Sequence, residues 1–214
     1  MTEPHSQPVE PKNYVASIQG KLAGTICDLV SIQEDLTFAR DMAVKCLADM
    51  PPGEPQSGQQ ASSEQAMMAK AVWSASLTSY RRAFAVGRGH VVPKAQRFDI
   101  QGLREEQLSP AQKATDQQLR DIIDKHIAHR TSDLEQMRLL IFLNPPPLPR
   151  GVAGVGPFSI HYLSPKRELV EALIEICDVL LAPINQAINL MLERARQLAE
   201  TNLIYRLYDE IERQ

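Results

Sequence analysis

The chain has 214 residues, of which 43% are hydrophobic, and a formal net charge of −3 at pH 7. This composition is ordinary for one globular domain, so a disordered chain is not expected. No run reaches the roughly 18 consecutive apolar residues of a membrane span, and the polar start lacks a signal-peptide core, which predicts a cytoplasmic protein without a membrane partner. The small negative charge excludes a general attraction to nucleic acid, so any such binding must come from a local patch.

The first part of the chain predicts a tail followed by a long helix. Residues 1–12 are rich in proline and poor in apolar side chains, which is typical of a disordered tail, and residues 13–214 are predicted to form a single helical-bundle domain. From Asn13, a plausible N-cap, apolar residues recur at spacings of three and four as far as Met50. Pro51 and the proline after it end this helix.

Two further helices carry capping signatures. One is predicted from residue 62 or 63 until Gly87 supplies the stop, and the other from Ser109 to about His129. The residues that predict the two N-termini are Ser62 with Gln65, and Ser109 with Pro110 and Gln112. The three cysteines, which lie far apart at helical positions, are predicted to be buried free thiols.

One segment, at about residues 137–163, breaks the helical pattern. Short strands are predicted at residues 138–143 and 158–162. Residues 144–157 contain five prolines and three glycines, which predicts an irregular excursion between them. The last helical region follows Ser164 and Pro165 and continues almost to the end, with Pro183 expected to kink or split it. The predicted class is therefore mainly α, a bundle of long helices with a small two-stranded β excursion.

The end of the third helix concentrates ionisable side chains. They are Arg120, Asp121, Asp124, Lys125, His126, His129 and Arg130. At 100° per residue, His126 points into the apolar arc of this helix and His129 lies at its edge. The simplest interpretation is a hydrogen-bonded core histidine at His126 and a solvated polar face for the others.

The run Asp-Lys-His-Ile-Ala-His at 124–129, preceded by Ser-Leu-Thr-Ser-Tyr-Arg-Arg-Ala-Phe at 76–84, resembles uncharacterised bacterial helical proteins of the HEPN type. Some of these relatives belong to abortive-infection and toxin systems. The resemblance implies a helical bundle, often dimeric, whose active members are metal-independent ribonucleases with an Arg-x(4 to 6)-His motif and a polar residue beside the arginine. It also implies that histidine handles the 2′-hydroxyl proton or the leaving group while arginine stabilises the phosphorane-like charge.

Two registers of this motif fit the chain. In the first, Arg120 and Asp121 pair with His126; in the second, His129 is the catalytic histidine and the arginine position six residues earlier is Ile123. On an undistorted helix Arg120 and His126 are about 120° apart, so the first register requires helix distortion or a dimer interface.

A second basic region spans residues 80–98, where arginine, lysine and histidine recur. An RNA backbone is a natural partner for such a stretch. The candidate RNA-binding residues are Tyr80, Arg81, Arg82, Arg88, Lys94, Lys125 and Arg130. The alternative is that Arg81 and Arg82 complement a helix dipole, that the other basic residues solvate a loop, and that Tyr80 packs in the core rather than stacking on a base.

No metal site and no cofactor are predicted. His126 and His129 share a helix face at a spacing suited to a metal, but the sequence offers no third ligand cluster. Nucleophile elbows and phosphate-binding glycine loops are missing from the sequence as well.

The predicted function is a HEPN-like protein of a defence or toxin system that binds or cleaves RNA. A homodimer is expected because the long helices offer more apolar surface than one chain covers. The alternative is a catalytically silent helical interaction or scaffold protein, dimeric and antitoxin-like. Arg120-Asp121 with His126 favours the first function, and Ile123 at the expected arginine position favours the second.

Overall fold

The computed structural model describes residues 17–50, 63–85, 93–94, 97–124, 135–161 and 165–205. Within these ranges the chain has a mainly helical fold with one two-stranded antiparallel sheet, as predicted. The elements are α1 (Lys21–Asp49), α2 (Ser63–Ala83), α3 (Ile100–Gln107), α4 (Pro110–Ile122), β1 (Glu135–Leu143), β2 (Val152–His161) and α5 (Arg167–Leu198). The predicted tail lies outside the described residues.

Helix α1 begins at Lys21, so the predicted start at Asn13 is wrong. Gly20 adopts a φ of 116°, a conformation that favours glycine and that an α-helix does not contain. Asn13 itself lies outside the described residues. At the other end Met50 is extended, as expected for a residue that precedes a proline.

The core lies where α1 packs against α2 and α5. The fully buried large apolar side chains of this interface include Leu29, Leu36, Leu77, Leu173, Leu180 and Ile184. The apolar stripes predicted for these helices therefore face one another, and most of the fold's hydrophobic stabilisation comes from their burial.

Helix α5 is continuous through Pro183, so of the two predicted effects, a kink or a split, the split does not occur. Proline removes one backbone donor, but the buried neighbours Leu180, Leu181 and Ile184 hold both sides of this position against the core. The helix begins at Arg167 with Lys166 as its N-cap, while Ser164 lies outside the described residues.

Part of this helix is apolar enough to cross a membrane. By length and composition alone the segment Arg167–Thr201 satisfies that criterion, and 39% of its most apolar window is buried inside the fold. A core helix meets the same criterion, and the buried residues of α5, such as Val170 and Ile188, belong to the core described above.

Helices α3 and α4 begin at side-chain caps. In α4 the predicted capping box is present, since Ser109 Oγ accepts from the Gln112 amide at 3.3 Å and Gln112 Oε1 accepts from the Ser109 amide at 3.0 Å. Helix α3 is an addition to the predicted elements; its N-cap, Asp99, accepts a hydrogen bond from the Gly102 amide at 2.9 Å. A π turn follows Ile122, and the predicted end of this helix near residue 129 lies outside the described residues.

The two strands form a hairpin that is longer than predicted. Strand β2 begins at Val152, so the predicted start at residue 158 is wrong. Residues 152–157 pair with Leu139–Leu143 despite their glycines and proline, because either strand of a two-stranded sheet is an edge strand and tolerates a residue without a donor. The loop is closed by the Asn144 amide, which donates to the Gly151 carbonyl at 2.9 Å.

The three cysteines are free, and two of them are buried as predicted. Burial raises the pKa of the Cys177 thiol to about 12 and also raises that of Cys46. Cys27 is exposed, which corrects the prediction for this residue, because the buried side of α1 there runs through Asp28 and Leu29.

We expect Leu180→Ala to lower the free energy of unfolding by about 2 to 5 kcal/mol, since Leu180 is fully buried and its truncation leaves a cavity. Leu190→Ala is the matched control on the same helix, because Leu190 is 66% exposed, and it should change stability by less than about 1 kcal/mol. Urea denaturation followed by circular dichroism measures both. Equal effects would contradict the placement of the core.

Candidate functional site

A buried polar cluster is centred on Asp116 of α4. Asp116 is 2% exposed, and its Oδ1 accepts a hydrogen bond from the hydroxyl of Tyr80 on α2 at 2.6 Å. Its Oδ2 lies 3.0 Å from Nη2 of Arg120, one turn further along α4, and 3.6 Å from Nη1 of Arg104 on α3. One carboxylate therefore joins three helices.

Two aromatic rings of the α2 region support this cluster. Tyr80 and Phe84, one helical turn apart, pack edge to face with ring centroids 5.1 Å apart. The guanidinium of Arg104 lies over the Phe84 ring, with Cζ 5.4 Å from the centroid. A cation over a ring face is stabilised by the ring quadrupole, which explains how Arg104 tolerates being 7% exposed.

The pKa of the Tyr80 hydroxyl is raised well above its ordinary range. Burial is the main cause, and the adjacent Asp116 carboxylate adds to it, because both disfavour a phenolate. Tyr80 therefore remains a neutral hydrogen-bond donor to Asp116 at any physiological pH.

The cluster holds more positive charge than its buried carboxylate balances. Arg104 and Arg120 share Asp116, and each keeps a buried nitrogen without a hydrogen-bond partner, namely Nη1 of Arg104 and Nε of Arg120. Arg104 also lies 3.5 Å from the exposed Glu105. The side chain of Arg120 is 26% exposed, so the cluster reaches solvent at this arginine. Such an arrangement suits an anionic ligand that approaches Arg120 from solvent.

The structure places only part of the predicted catalytic set. Arg120 lies in the cluster, and Nη2 of its guanidinium also donates to Oε1 of Gln117 at 2.8 Å. Asp121 accepts a hydrogen bond from the side-chain amide of Gln117 at 2.7 Å. His126 and His129 lie outside the described residues.

Ile123, which stands at the arginine position of the second register, is 4% exposed and belongs to the core. A guanidinium at this position would be directed among apolar side chains. The local geometry thus explains an apolar residue here.

Arg81 and Arg82, near the end of α2, both have acidic partners. Nε of Arg81 lies 3.4 Å from Asp124, and Nη2 of Arg82 lies 3.4 Å from Asp35, with the two arginine side chains 45% and 66% exposed. Tyr80 is fully buried, so its ring does not present a face to a base. Lys94 is exposed, whereas Arg88, Lys125 and Arg130 lie outside the described residues.

Sequence reasoning missed two members of the cluster, Arg104 and Asp116. A signal for Asp116 exists, because an acidic residue three positions before Leu119 and seven before Ile123 falls on the apolar face of α4, and Arg120 follows it at i+4. No comparable signal marks Arg104, since its partner is twelve residues away on another helix.

The described residues contain no group of three or more histidine, cysteine, aspartate or glutamate side chains that would hold a metal ion. The side chains that the cluster itself offers for chemistry are its guanidiniums, its carboxylate and its phenol.

We expect Asp116→Asn to lower the free energy of unfolding by about 3 to 5 kcal/mol, because it leaves two largely buried guanidiniums without their carboxylate. Asp121→Asn, on the same helix, should cost less than about 1 kcal/mol, since an asparagine carbonyl still accepts from Gln117. Urea titrations of both variants test this. A stability of the first variant equal to the wild type would show that Asp116 does not neutralise the arginines.

Comparison with known proteins finds no matching family model, no matching curated protein and no matching solved structure. The resemblance to HEPN-type proteins therefore rests on the residues quoted above, and function has to be argued from the chemistry of the cluster and of the segment that follows it.

Proposed function

We propose that this chain is a HEPN-like protein that binds RNA and cleaves it without a metal, in a defence or toxin setting. The observation that carries the proposal is the sharing of one buried carboxylate, Asp116, by two arginines. Arg104 also faces Glu105 at 3.5 Å, whereas Arg120 shares the buried Asp116 and is itself 26% exposed, so part of its guanidinium is accessible to a phosphate. The anchoring of Arg120 also means that little reorganisation is needed when negative charge develops on the phosphorus oxygens.

The proposed mechanism divides the work between two side chains. Arg120 stabilises the phosphorane-like transition state, while His126 accepts the proton of the 2′-hydroxyl or donates one to the leaving 5′-oxygen. Asp121 is the polar neighbour of the arginine. We favour the register with His126. The alternative register, with His129, needs an arginine at position 123, which is the buried Ile123 in this chain.

The RNA backbone is assigned to basic residues beyond the cluster. Lys94 is exposed, and we assign Arg88, Lys125 and Arg130 to the same role from the sequence. Arg81 and Arg82 contribute less, because Asp124 and Asp35 offset their charge.

A second candidate is a catalytically silent helical interaction protein, antitoxin-like or scaffolding. Two observations favour it: Ile123 is part of the core, and the exposed arginines of α2 are already paired with carboxylates. This candidate requires no free cation and no accessible histidine.

The two candidates differ in what purified protein does to total RNA in the presence of EDTA. We expect cleavage by the wild type, and a loss of about 100-fold or more for Arg120→Lys, because lysine still pairs with Asp116 but lacks the forked guanidinium. His126→Ala should lose activity to a similar extent. Arg194→Ala, an exposed arginine on α5, is the control and should cleave normally.

Melting temperatures of the same samples separate lost chemistry from lost folding. Activity that fails with His129→Ala and survives His126→Ala would move the site to the other register. A wild type that neither cleaves RNA nor slows growth on overexpression would support the silent interaction protein.

RNA binding has its own test, in which Arg81, Arg82, Arg88 and Lys94 are all replaced by Gln. We expect weaker binding and a flatter dependence of log affinity on log salt, by about 0.7 to 0.9 for each phosphate that is no longer neutralised. Since Arg81 and Arg82 are ion-paired, replacing only Arg88 and Lys94 should reproduce most of the effect. Unchanged binding in a filter assay across a salt series would assign these residues to solvation.

A further inference from the structure

At the loop end of the β hairpin one face is apolar and exposed, whereas toward the other end the register places the pairs Met137–Ser159 and Glu135–His161 on the same face. Directly paired residues of an antiparallel sheet lie on the same face, and the register pairs Leu139 with Pro157 and Ile141 with Val155. Beyond a β-bulge that leaves Ala153 unpaired, Leu143 pairs with Val152. We call the six residues of these last three pairs the apolar hairpin face. All are exposed, at 58% to 71% for the five that are Leu, Ile or Val.

On the opposite face of the hairpin, a side chain of the hairpin itself covers part of the neighbouring strand. The Phe142 ring lies over Gly154 and Gly156, since a Cβ added to either glycine would be 4.0 Å from a ring carbon. The glycines let an aromatic side chain lie flat on the neighbouring strand. The apolar hairpin face has no such covering among the residues that the structure describes.

Within the described part of the chain, the two strands pack extensively only on each other and not on any helix. A lone two-stranded hairpin is at best marginally stable in water, and three or more strands or a covering layer are needed for stable order. We therefore expect another surface to cover the exposed apolar hairpin face.

We propose that this surface is the same face of a second copy of this chain. In a two-fold dimer each position meets its own counterpart or a near neighbour, so a charged face would repel itself, whereas these six positions are all uncharged. Two apolar sheet faces pack at about 10 Å, as in a β-sandwich.

The exposed apolar area is large enough for a specific contact between two copies. Six side chains at these exposures amount to roughly 500 Å² on each copy, as large as the biggest apolar patch of a typical monomer. Packing two such faces buries roughly 1,000 Å², which reaches the size expected of a specific interface. Other exposed apolar side chains lie elsewhere, with Phe38 and Leu190 on helices, Phe142 on the opposite face of the hairpin and Leu148 in its loop.

The test is sedimentation equilibrium of the full chain between about 1 and 100 µM. We expect a dimer for the wild type and a dissociation constant at least 100-fold higher for Ile141→Glu, because two carboxylates then meet across the dry interface. Leu190→Glu, a matched change at a 66% exposed position on α5, should leave the dimer intact. Circular dichroism should show the same helix content for all three.

A second experiment tests whether the apolar hairpin face of one copy packs against the same face of another copy. Ile141→Lys alone should also be monomeric, and an equimolar mixture of the I141E and I141K variants should restore a heterodimer, because opposite charges then face each other. A monomeric wild type at 100 µM, or an unchanged dimer in both charged variants, would overturn the proposal. So would a monomeric wild type that co-sediments with phosphatidylglycerol vesicles and loses this with Ile141→Glu, since the covering surface would then be a membrane. RNA cleavage is not a readout here, so failure of the dimer and failure of the proposed function are separate results.

Discussion

A carboxylate that is removed from water has to be surrounded by donors and cations, and this requirement brings α2, α3 and α4 together around Asp116. Asp116 receives the hydroxyl of Tyr80 from α2, and the guanidiniums of Arg104 from α3 and Arg120 from α4. Helices α3 and α4 also pack on α5, so the cluster links them to α2 while the apolar interface of α1, α2 and α5 forms the main core. Losing this carboxylate removes the buried counter-charge of both arginines, so the contact among these three helices depends strongly on Asp116.

The same cluster connects stability with the proposed chemistry. A guanidinium that is held by a buried carboxylate is oriented before any ligand arrives, and Arg120 shares this carboxylate with Arg104. Arg120 thus combines a structural contact with a side chain that still reaches solvent. The exposed arginines of α2 lack this combination, because each is paired with a carboxylate of its own.

The hairpin differs from the helices in how its apolar side chains are covered. Each long helix buries its apolar stripe against other helices of the same chain, whereas the loop end of the hairpin exposes apolar side chains on one face and makes no extensive helix contact among the described residues. Apolar area left in water is unfavourable in proportion to its extent, so the proposed dimer contact would complete a second, small core between two copies. The elements that stabilise the monomer and the element that we infer to join the copies are therefore separate.

Local periodicity and local chemistry were enough to predict part of this protein, and partners distant in the chain decided the rest. The apolar stripes that bury Leu36 and Leu180, and the capping box of Ser109 and Gln112, could be predicted because their spacings and hydrogen bonds are encoded within one helix. The exposure of Cys27 shows the limit of that reasoning, since a helical period alone does not fix the width of the buried stripe.

The candidate site and the irregular elements required the folded chain. Asp116 and Arg104 are twelve residues apart on different helices, and Tyr80 reaches Asp116 across 36 positions, so no local pattern marks the whole cluster. The continuity of α5 through Pro183 depends on the core that flanks it, and β2 extends over glycines and a proline because β1 supplies its hydrogen-bond partners. These features depend on burial and on pairing between segments that are distant in the chain. The pattern within a short stretch of sequence therefore does not predict them.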